Sequence, residues 1–217
     1  MKELSRTGAI PDITVSVKSF KQDKKHKRTG LNELQAKLVW DKINQLPLTK
    51  RDTRLKAIIS LLIFQGLRQI EIIRLNVRDI NLGTSIAMIQ GKGCDDKEQI
   101  DLHPETIRAI KSYLSVNKKA DGPLFTCNSN NHKDRRLTTR SIRNIVKEFL
   151  RTLTIENTVH GFRHYFTTTL IKQFNGDLLE VAQYTRHKSL EMLQVYNDRV
   201  KKESDLPKYY QAFNGII

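Results

Sequence analysis

One segment of the chain, from Arg54 to Leu67, is apolar almost all round. A helix with this pattern is buried on most of its sides, so the segment belongs at the centre of a core. Gly66 stands near its end, and Arg68 follows it directly. The chain has 217 residues, which is enough for one sizeable core but too few for two ordinary domains. We therefore expect one domain built around this helix.

Helical periodicity predicts further elements on both sides of this segment. The first helix carries Leu31, Leu34, Leu38, Ile43 and Leu46 at helical spacing. The last is a short helix that Ser189 caps and that carries Tyr196. Helices are predicted over about residues 31–46, 54–67, 69–75, 103–116, 138–153, 158–174 and 177–184.

Extended chain is predicted on both sides of Gly91-Lys92-Gly93, over residues 85–90 and 98–102. Two such segments around a short polar loop indicate a β-hairpin, here with Lys92 at its mouth. Residues 123–127 are a further short strand candidate. The predicted fold class is therefore mainly α with a small antiparallel β-sheet (α+β).

The chain is strongly basic, with 38 Lys and Arg against 23 Asp and Glu and a net charge of +15. This bias indicates a polyanionic partner, and the alternative is a basic surface that is merely solvated. Residues 1–30 include Lys24, Lys25, Lys27 and Arg28 and lack helical periodicity. They are interpreted either as a flexible basic arm that follows DNA phosphates or as a solvated linker.

The sequence offers no pattern typical of a metal site or a membrane span. Its two cysteines, Cys94 and Cys127, are not part of a short-spaced Cys/His set, and Asp95-Asp96 is interpreted as turn chemistry. The longest apolar run, residues 57–64, is too short to cross a bilayer. We expect a cytoplasmic, nucleoid-associated protein that needs no metal and no cofactor.

A set of reactive side chains suits phosphoryl transfer. Guanidinium groups bind phosphate bidentately and stabilise the extra negative charge of a pentacoordinate phosphorane. Tyrosine can form a covalent phosphotyrosyl intermediate, while a lysine protonates the departing 5′ oxygen and a histidine helps remove the tyrosine proton. The set consists of Arg68, Lys92, His160, Arg163, His187 and Tyr196.

Each of these residues also has a structural explanation when it is taken alone. Arg68 can be a salt-bridge partner at a helix end, Lys92 an ordinary turn lysine, and Tyr196 a core residue. On one continuous helix His187 and Tyr196 would lie on opposite faces, so their convergence depends on the predicted break at Ser189. The order and spacing of the set favour the functional interpretation.

The order of the motifs resembles the catalytic domain of tyrosine recombinases, the phage integrase family, over about residues 31–200. The motifs are Gly66-Leu67-Arg68-Gln69-Ile70-Glu71, Gly91-Lys92-Gly93, His160-Gly161-Phe162-Arg163-His164, Arg186-His187-Lys188-Ser189-Leu190 and Tyr196.

The resemblance implies a role for each member of the set. The arginines, histidines and Lys92 would surround the scissile phosphate, Tyr196 would become linked to a 3′ phosphate, and Glu71 would support the site. It also implies a mostly helical fold whose small sheet carries the lysine. The partners it implies are double-stranded DNA, a homotetramer on two DNA sites with exchanged C-terminal segments, and DNA-bending accessory proteins.

The chain departs from the family pattern at two places. Arg186 stands where the family usually has glycine, and this extra cation could contact the DNA phosphate or a backbone nearby, or slightly change the turn. Residues 1–30 stand where the family normally has a helical core-binding domain, which favours a fragment of a longer protein. We therefore divide the chain into a basic linker (1–30), a catalytic domain (31–200) and a C-terminal tail (201–217) whose apolar residues dock in cis or in trans.

The reactive residues and the resemblance leave three candidate functions. The first is a site-specific recombinase that cleaves, exchanges and rejoins DNA strands without metal or ATP. The second is a type IB topoisomerase that relaxes a single duplex by similar chemistry. The third is a DNA-binding protein whose catalytic residues are idle, and the complete set of reactive residues argues against it.

Overall fold

The computed structural model describes residues 30–91, 93, 96–127, 134–187 and 189–214. These residues form helices and one small antiparallel sheet, which confirms the predicted fold class. In chain order the helices are α1 (Glu33–Asn44), α2 (Lys50–Phe64), α3 (Gln69–Arg74), α4 (Pro104–Asn117), α5 (Thr139–Thr152), α6 (Val159–Gln173), α7 (Leu178–Thr185) and α8 (Leu190–Gln211). The strands are β1 (Ile80–Asn81), β2 (Ile86–Gln90) and β3 (Lys97–Asp101).

Helix α2 is the central helix that the apolar segment predicted. All residues from Ala57 to Ile63 are buried, and each fully buried aliphatic side chain stabilises the fold by roughly 1.5–3 kcal/mol. The helix packs most extensively against α4 and also contacts α1, α5 and α6. It begins earlier than predicted, at Lys50, because the Thr49 side chain accepts the backbone N–H of Asp52 and caps the first turn.

The chain turns sharply at Gly66, between the end of α2 and the start of α3. Gly66 has a φ of +56°, in the left-handed region that favours glycine. A Cβ atom at this position would lie 2.3 Å from Cδ1 of Phe166 on α6. The turn therefore requires glycine both for its conformation and for the close approach of α6.

The predicted hairpin is present. Strand β2 pairs antiparallel with β3, from Ile86 opposite Asp101 to Gln90 opposite Lys97, and β1 extends the sheet on the other side of β2. The predicted strand over residues 123–127 is wrong, because this segment makes only isolated bridges to two separate parts of the chain.

Only part of the apolar face that was predicted for helix α1 is buried. Leu34 and Leu38 are 80% and 40% exposed, whereas Val39 and Ile43 are buried. A capping box at Asn32 starts the helix and leaves the buried Leu31 outside it, and the buried face runs through Ala36, Val39 and Ile43 at spacings of three and four residues. Leu34 instead lines a cleft of about 550 Å³ between α1, α6 and α8.

Helix α8 is much longer than the short helix predicted, and it continues where a separate tail was expected. It runs to Gln211 and passes through Pro207, although proline removes one helical hydrogen bond. From Lys201 onward its residues are exposed, so only its first half packs on the domain. Within the described ranges, neither α8 nor any other helix is long and apolar enough to cross a membrane.

Candidate active site

Arg68 and Glu71 form an ion pair at the start of α3. The Arg68 backbone N–H donates to Glu71 Oε2 over 2.8 Å, and its Nη1 donates to Oε1 over 2.7 Å. The Glu71 side chain is 1% exposed, whereas that of Arg68 is 40% exposed. A buried carboxylate therefore holds a guanidinium group that remains open to a ligand.

Arg163 lies one helical turn after His160 in the first turns of α6. Its Nη1 donates to the carbonyl of Gly66 over 2.7 Å, and its Nη2 donates to the carbonyl of Thr185 over 2.5 Å. Burial, followed by the charges of Arg68 and Arg186, lowers the pKa of Arg163 to about 10. The guanidinium is therefore cationic at neutral pH and is fixed between the end of α2 and the end of α7.

Three residues of the predicted set share one cleft. Arg68, His160 and Arg163 line a cleft of about 440 Å³, together with Arg143 of α5. His160 is exposed, while Arg163 reaches the cleft from its buried position. Three arginines and a histidine around one cleft suit a phosphate group.

Tyr196 is buried beside this cleft and not within it. The residue is 4% exposed and lines the cleft between α1, α6 and α8. Its ring centroid lies 4.9 Å from that of His164 and 6.1 Å from that of His187. Burial raises the pKa of the Tyr196 phenol, against the opposing charges of Arg163 and Arg68. The phenol is therefore neutral at neutral pH.

His187 follows the break between α7 and α8, which brings it close to Tyr196 as the sequence predicted. Its Nδ1 lies 2.8 Å from Oγ1 of Thr185, the residue whose carbonyl accepts a hydrogen bond from Arg163. Ser189 occupies the N-cap position of α8, but its side chain makes no capping hydrogen bond. Thr185 thus connects the second arginine of the site to its second histidine.

Arg186 ends α7 in the left-handed conformation, with a φ of 54°. Its side chain is only 6% exposed, and its Nη2 lies 3.3 Å from Oε2 of Glu71. Burial lowers the pKa of Arg186, while Glu71 opposes this shift. The structure therefore directs this predicted DNA-contacting residue towards the buried carboxylate.

Some predicted site residues lie outside the described part of the chain, and their roles stay predictions. They are Lys24, Lys25, Lys27, Arg28 and Lys92.

The sequence reasoning missed a basic face on α5. Arg140, Arg143, Lys147 and Arg151 are exposed on the side of this helix opposite its buried residues. The spacing of these cations within an amphipathic helix is the signal that could have identified them. Arg143 extends this face into the cleft that contains Arg68.

Known proteins share this sequence pattern. Residues 31–203 match the model of the phage integrase family. The chain is 27% identical over 197 residues to a tyrosine recombinase of Synechocystis sp., a match that covers 89% of this chain and 62% of the relative. It is also 27% identical over 164 residues to the tyrosine recombinase XerA of Pyrococcus horikoshii, covering 75% of this chain and 56% of that protein. The chain thus spans less than two-thirds of the length of these relatives.

Solved recombinases share the fold. The crystal structure of XerA recombinase superposes with a TM-score of 0.66 and 25% identity, covering 83% of this chain and 65% of that one. A lambda integrase dimer bound to a COC′ core site has a TM-score of 0.63 at 14% identity, covering 90% of this chain and 55% of that one, which shows likeness of fold alone. Since the family model matches most of its residues, the chain belongs to the phage integrase family and has the fold of a tyrosine recombinase catalytic domain.

Proposed function

We propose that the chain is the catalytic domain of a tyrosine-type site-specific DNA recombinase. One observation carries this proposal: Arg68 and Arg163, from distant parts of the sequence, line a single cleft with His160 beside the buried Tyr196. Protein carbonyls and a buried carboxylate hold both guanidinium groups in place. Preorganised cations of this kind stabilise negative charge that develops during phosphoryl transfer.

The proposed reaction begins with attack of the Tyr196 oxygen on the scissile phosphorus. A bond forms between that oxygen and phosphorus, the bond to the 5′ oxygen breaks, and the DNA keeps a 3′-phosphotyrosyl link. His160 helps remove the phenol proton, and Lys92 protonates the departing 5′ oxygen. Attack of a 5′ hydroxyl from the partner strand reverses these steps and rejoins the DNA, so the cycle needs no ATP.

The burial of Tyr196 adds a condition to this reaction. Its ring lines the cleft next to α1, whereas the arginines line the cleft next to α5. Tyr196 as a whole is 4% exposed, so we expect DNA binding to open a path between its phenol oxygen and the arginine cleft. The packing of Tyr196 against His164 would then keep the nucleophile unreactive in the absence of DNA.

Duplex DNA is the proposed partner. The exposed basic face of α5 leads into the arginine cleft through Arg143, and the whole chain carries a net charge of +15. Such a face binds phosphates through counterion release. The XerH recombinase has been solved with its difH substrate before and after cleavage, and its fold resembles that of this chain.

A tetramer on two DNA sites is the assembly that we propose for strand exchange. The exposed second half of α8 carries Tyr209 and Tyr210, and Phe213 follows the end of the helix; these residues are 60%, 60% and 47% exposed. Exposed aromatic rings that lie close together favour docking on a neighbouring subunit. DNA-bending accessory proteins are further proposed partners in this assembly.

A denaturing gel tests the proposed chemistry. Nicked, labelled duplexes drawn from the DNA that flanks the gene are incubated in EDTA with the gene product that contains this chain, and with its Tyr196→Phe variant. We expect a covalent protein–DNA adduct with tyrosine alone and equal DNA affinity for both proteins. Absence of an adduct with either protein would contradict the enzymatic proposal, and relaxation of any plasmid by a monomer would favour the topoisomerase.

A further inference from the structure

Arg186 occupies a position that would suit glycine better. Its φ of 54° and ψ of 44° lie in the left-handed region, which is unfavourable for a residue with a Cβ atom. Its side chain is almost completely buried, and among the described residues its Nε has no hydrogen-bond partner. A buried cation in a strained backbone conformation requires a specific interaction to offset these costs.

That interaction is with the carboxylate that also holds Arg68. Glu71 uses Oε1 for Arg68 Nη1, whereas its Oε2 accepts the Arg68 backbone N–H and faces Arg186 Nη2 at 3.3 Å. Glu71 thus bridges two guanidinium groups that are far apart in the sequence. Because the carboxylate is 1% exposed, water contributes little to its neutralisation.

The second cation changes the charge of the site. Arg68 and Glu71 alone form a neutral pair, so much of the charge on Arg68 is compensated by its own support. With Arg186 the group of three carries a net positive charge beside Arg163. A cation that shares Glu71 therefore leaves Arg68 freer to stabilise an anion in the cleft, without touching that anion itself.

We propose that Arg186 is a positioning residue that acts through Glu71 to orient Arg68 and to increase the positive charge presented to the scissile phosphate. This inference rests on the proposed function, since it concerns the rate of DNA cleavage. It differs from a direct DNA contact, because the Arg186 side chain is 6% exposed whereas that of Arg68 is 40% exposed.

The test compares the Arg186→Gly variant with the unmodified protein on the duplex for which that protein forms an adduct. Glycine suits the backbone at this position, so we expect the variant to fold. The single-turnover cleavage rate should fall by roughly 10- to 100-fold, as for loss of one charge-assisted interaction in the transition state. The affinity for DNA, measured by gel shift, should remain within about twofold.

The salt dependence of the DNA affinity distinguishes a positioning residue from one that contacts DNA directly. Loss of one phosphate contact would reduce the slope of log affinity against log salt by about 0.9, whereas a positioning residue leaves the slope unchanged. The matched control is Arg108→Gln, which removes an exposed arginine that also pairs with a glutamate one turn away. This control should change neither the cleavage rate nor the slope.

A double-mutant cycle identifies Glu71 as the intermediary. In a Glu71→Gln background, Arg186→Gly should slow cleavage much less than it does in the unmodified protein, because the shared carboxylate is gone. Arg186→Lys, which keeps the charge, should cleave DNA faster than Arg186→Gly but more slowly than the unmodified protein.

Three results would overturn the inference: unchanged cleavage by Arg186→Gly, a reduced salt slope, or an equal effect of this substitution in both backgrounds. Failure of the unmodified protein to form any adduct would instead refute the proposed function. The two failures are therefore distinguishable.

Discussion

Replacement of Gly66 by alanine tests how the end of α2 holds the site. At a φ of +56° alanine costs roughly 1–2 kcal/mol. Its Cβ atom would lie 2.3 Å from the Phe166 ring, and relief of such overpacking costs roughly 1–3 kcal/mol more. We therefore expect the free energy of unfolding to fall by about 2–5 kcal/mol. Urea denaturation measures this loss as a lower midpoint with an unchanged slope.

The same substitution in a Phe166 variant separates the conformational cost from the cost of the contact with the ring. When Phe166 is already alanine, the ring atoms that the new Cβ would meet are absent, and Gly66→Ala should cost only the conformational part of roughly 1–2 kcal/mol. Since the Gly66 carbonyl accepts a hydrogen bond from Arg163, the alanine variant should also cleave DNA more slowly. A stability loss below about 0.5 kcal/mol in the unmodified background would refute the reasoning, because surface substitutions without structural consequence fall in that range.

Three further predictions concern charge. Arg163→Lys should reduce the cleavage rate at least about 100-fold and lower the free energy of unfolding by roughly 1–3 kcal/mol. The reason is that one ammonium group cannot reproduce the two hydrogen bonds of the guanidinium to the carbonyls of Gly66 and Thr185. Single-turnover kinetics measures the first effect and urea denaturation the second. Because the pKa of Tyr196 is raised, the folded state keeps the phenol proton above pH 10.0, the ordinary tyrosine pKa, where the unfolded state loses it. The contribution of this group to the free energy of unfolding is therefore complete below that pH and declines above it. Urea denaturation across this range should show a shallower decline for Tyr196→Phe, and an identical pH dependence would contradict the prediction. Arg143→Gln should reduce the salt slope of DNA binding by about 0.9 if this exposed residue contacts a phosphate, and an unchanged slope would exclude that contact.

The pattern of apolar residues in the sequence predicted correctly the helix that is buried on all sides along its length. The segment around Ala57 to Ile63 is buried on all sides, so its composition alone predicted the central helix. In helix α1 the predicted pattern included Ile43, which is buried, but also Leu34 and Leu38, which are exposed, because the leucines alone do not show that Ala36 and Val39 form the buried face with Ile43. The length of α8 was missed because the charged run at residues 201–205 and Pro207 are typical of a helix end, yet the helix continues through both.

The members of the candidate site could be predicted from motif order, whereas their connections could not. The resemblance predicted that Glu71 supports the site, and the structure shows this support as an ion pair with Arg68, one turn earlier. The contact between Glu71 and Arg186 joins residues 115 positions apart and depends on how α7 packs near α3. The burial of Tyr196 against His164 is likewise a tertiary property, since α6 and α8 must first come together.

The chemical identity of the protein–DNA link tests the proposed reaction most directly. The adduct is isolated under denaturing conditions and digested with trypsin, and mass spectrometry then locates the nucleotide on the peptide. We predict a 3′ phosphate attached to Tyr196, together with a released strand whose 5′ hydroxyl can be labelled by a polynucleotide kinase. A link to another residue, or a 5′ phosphate on the released strand, would contradict the proposed mechanism.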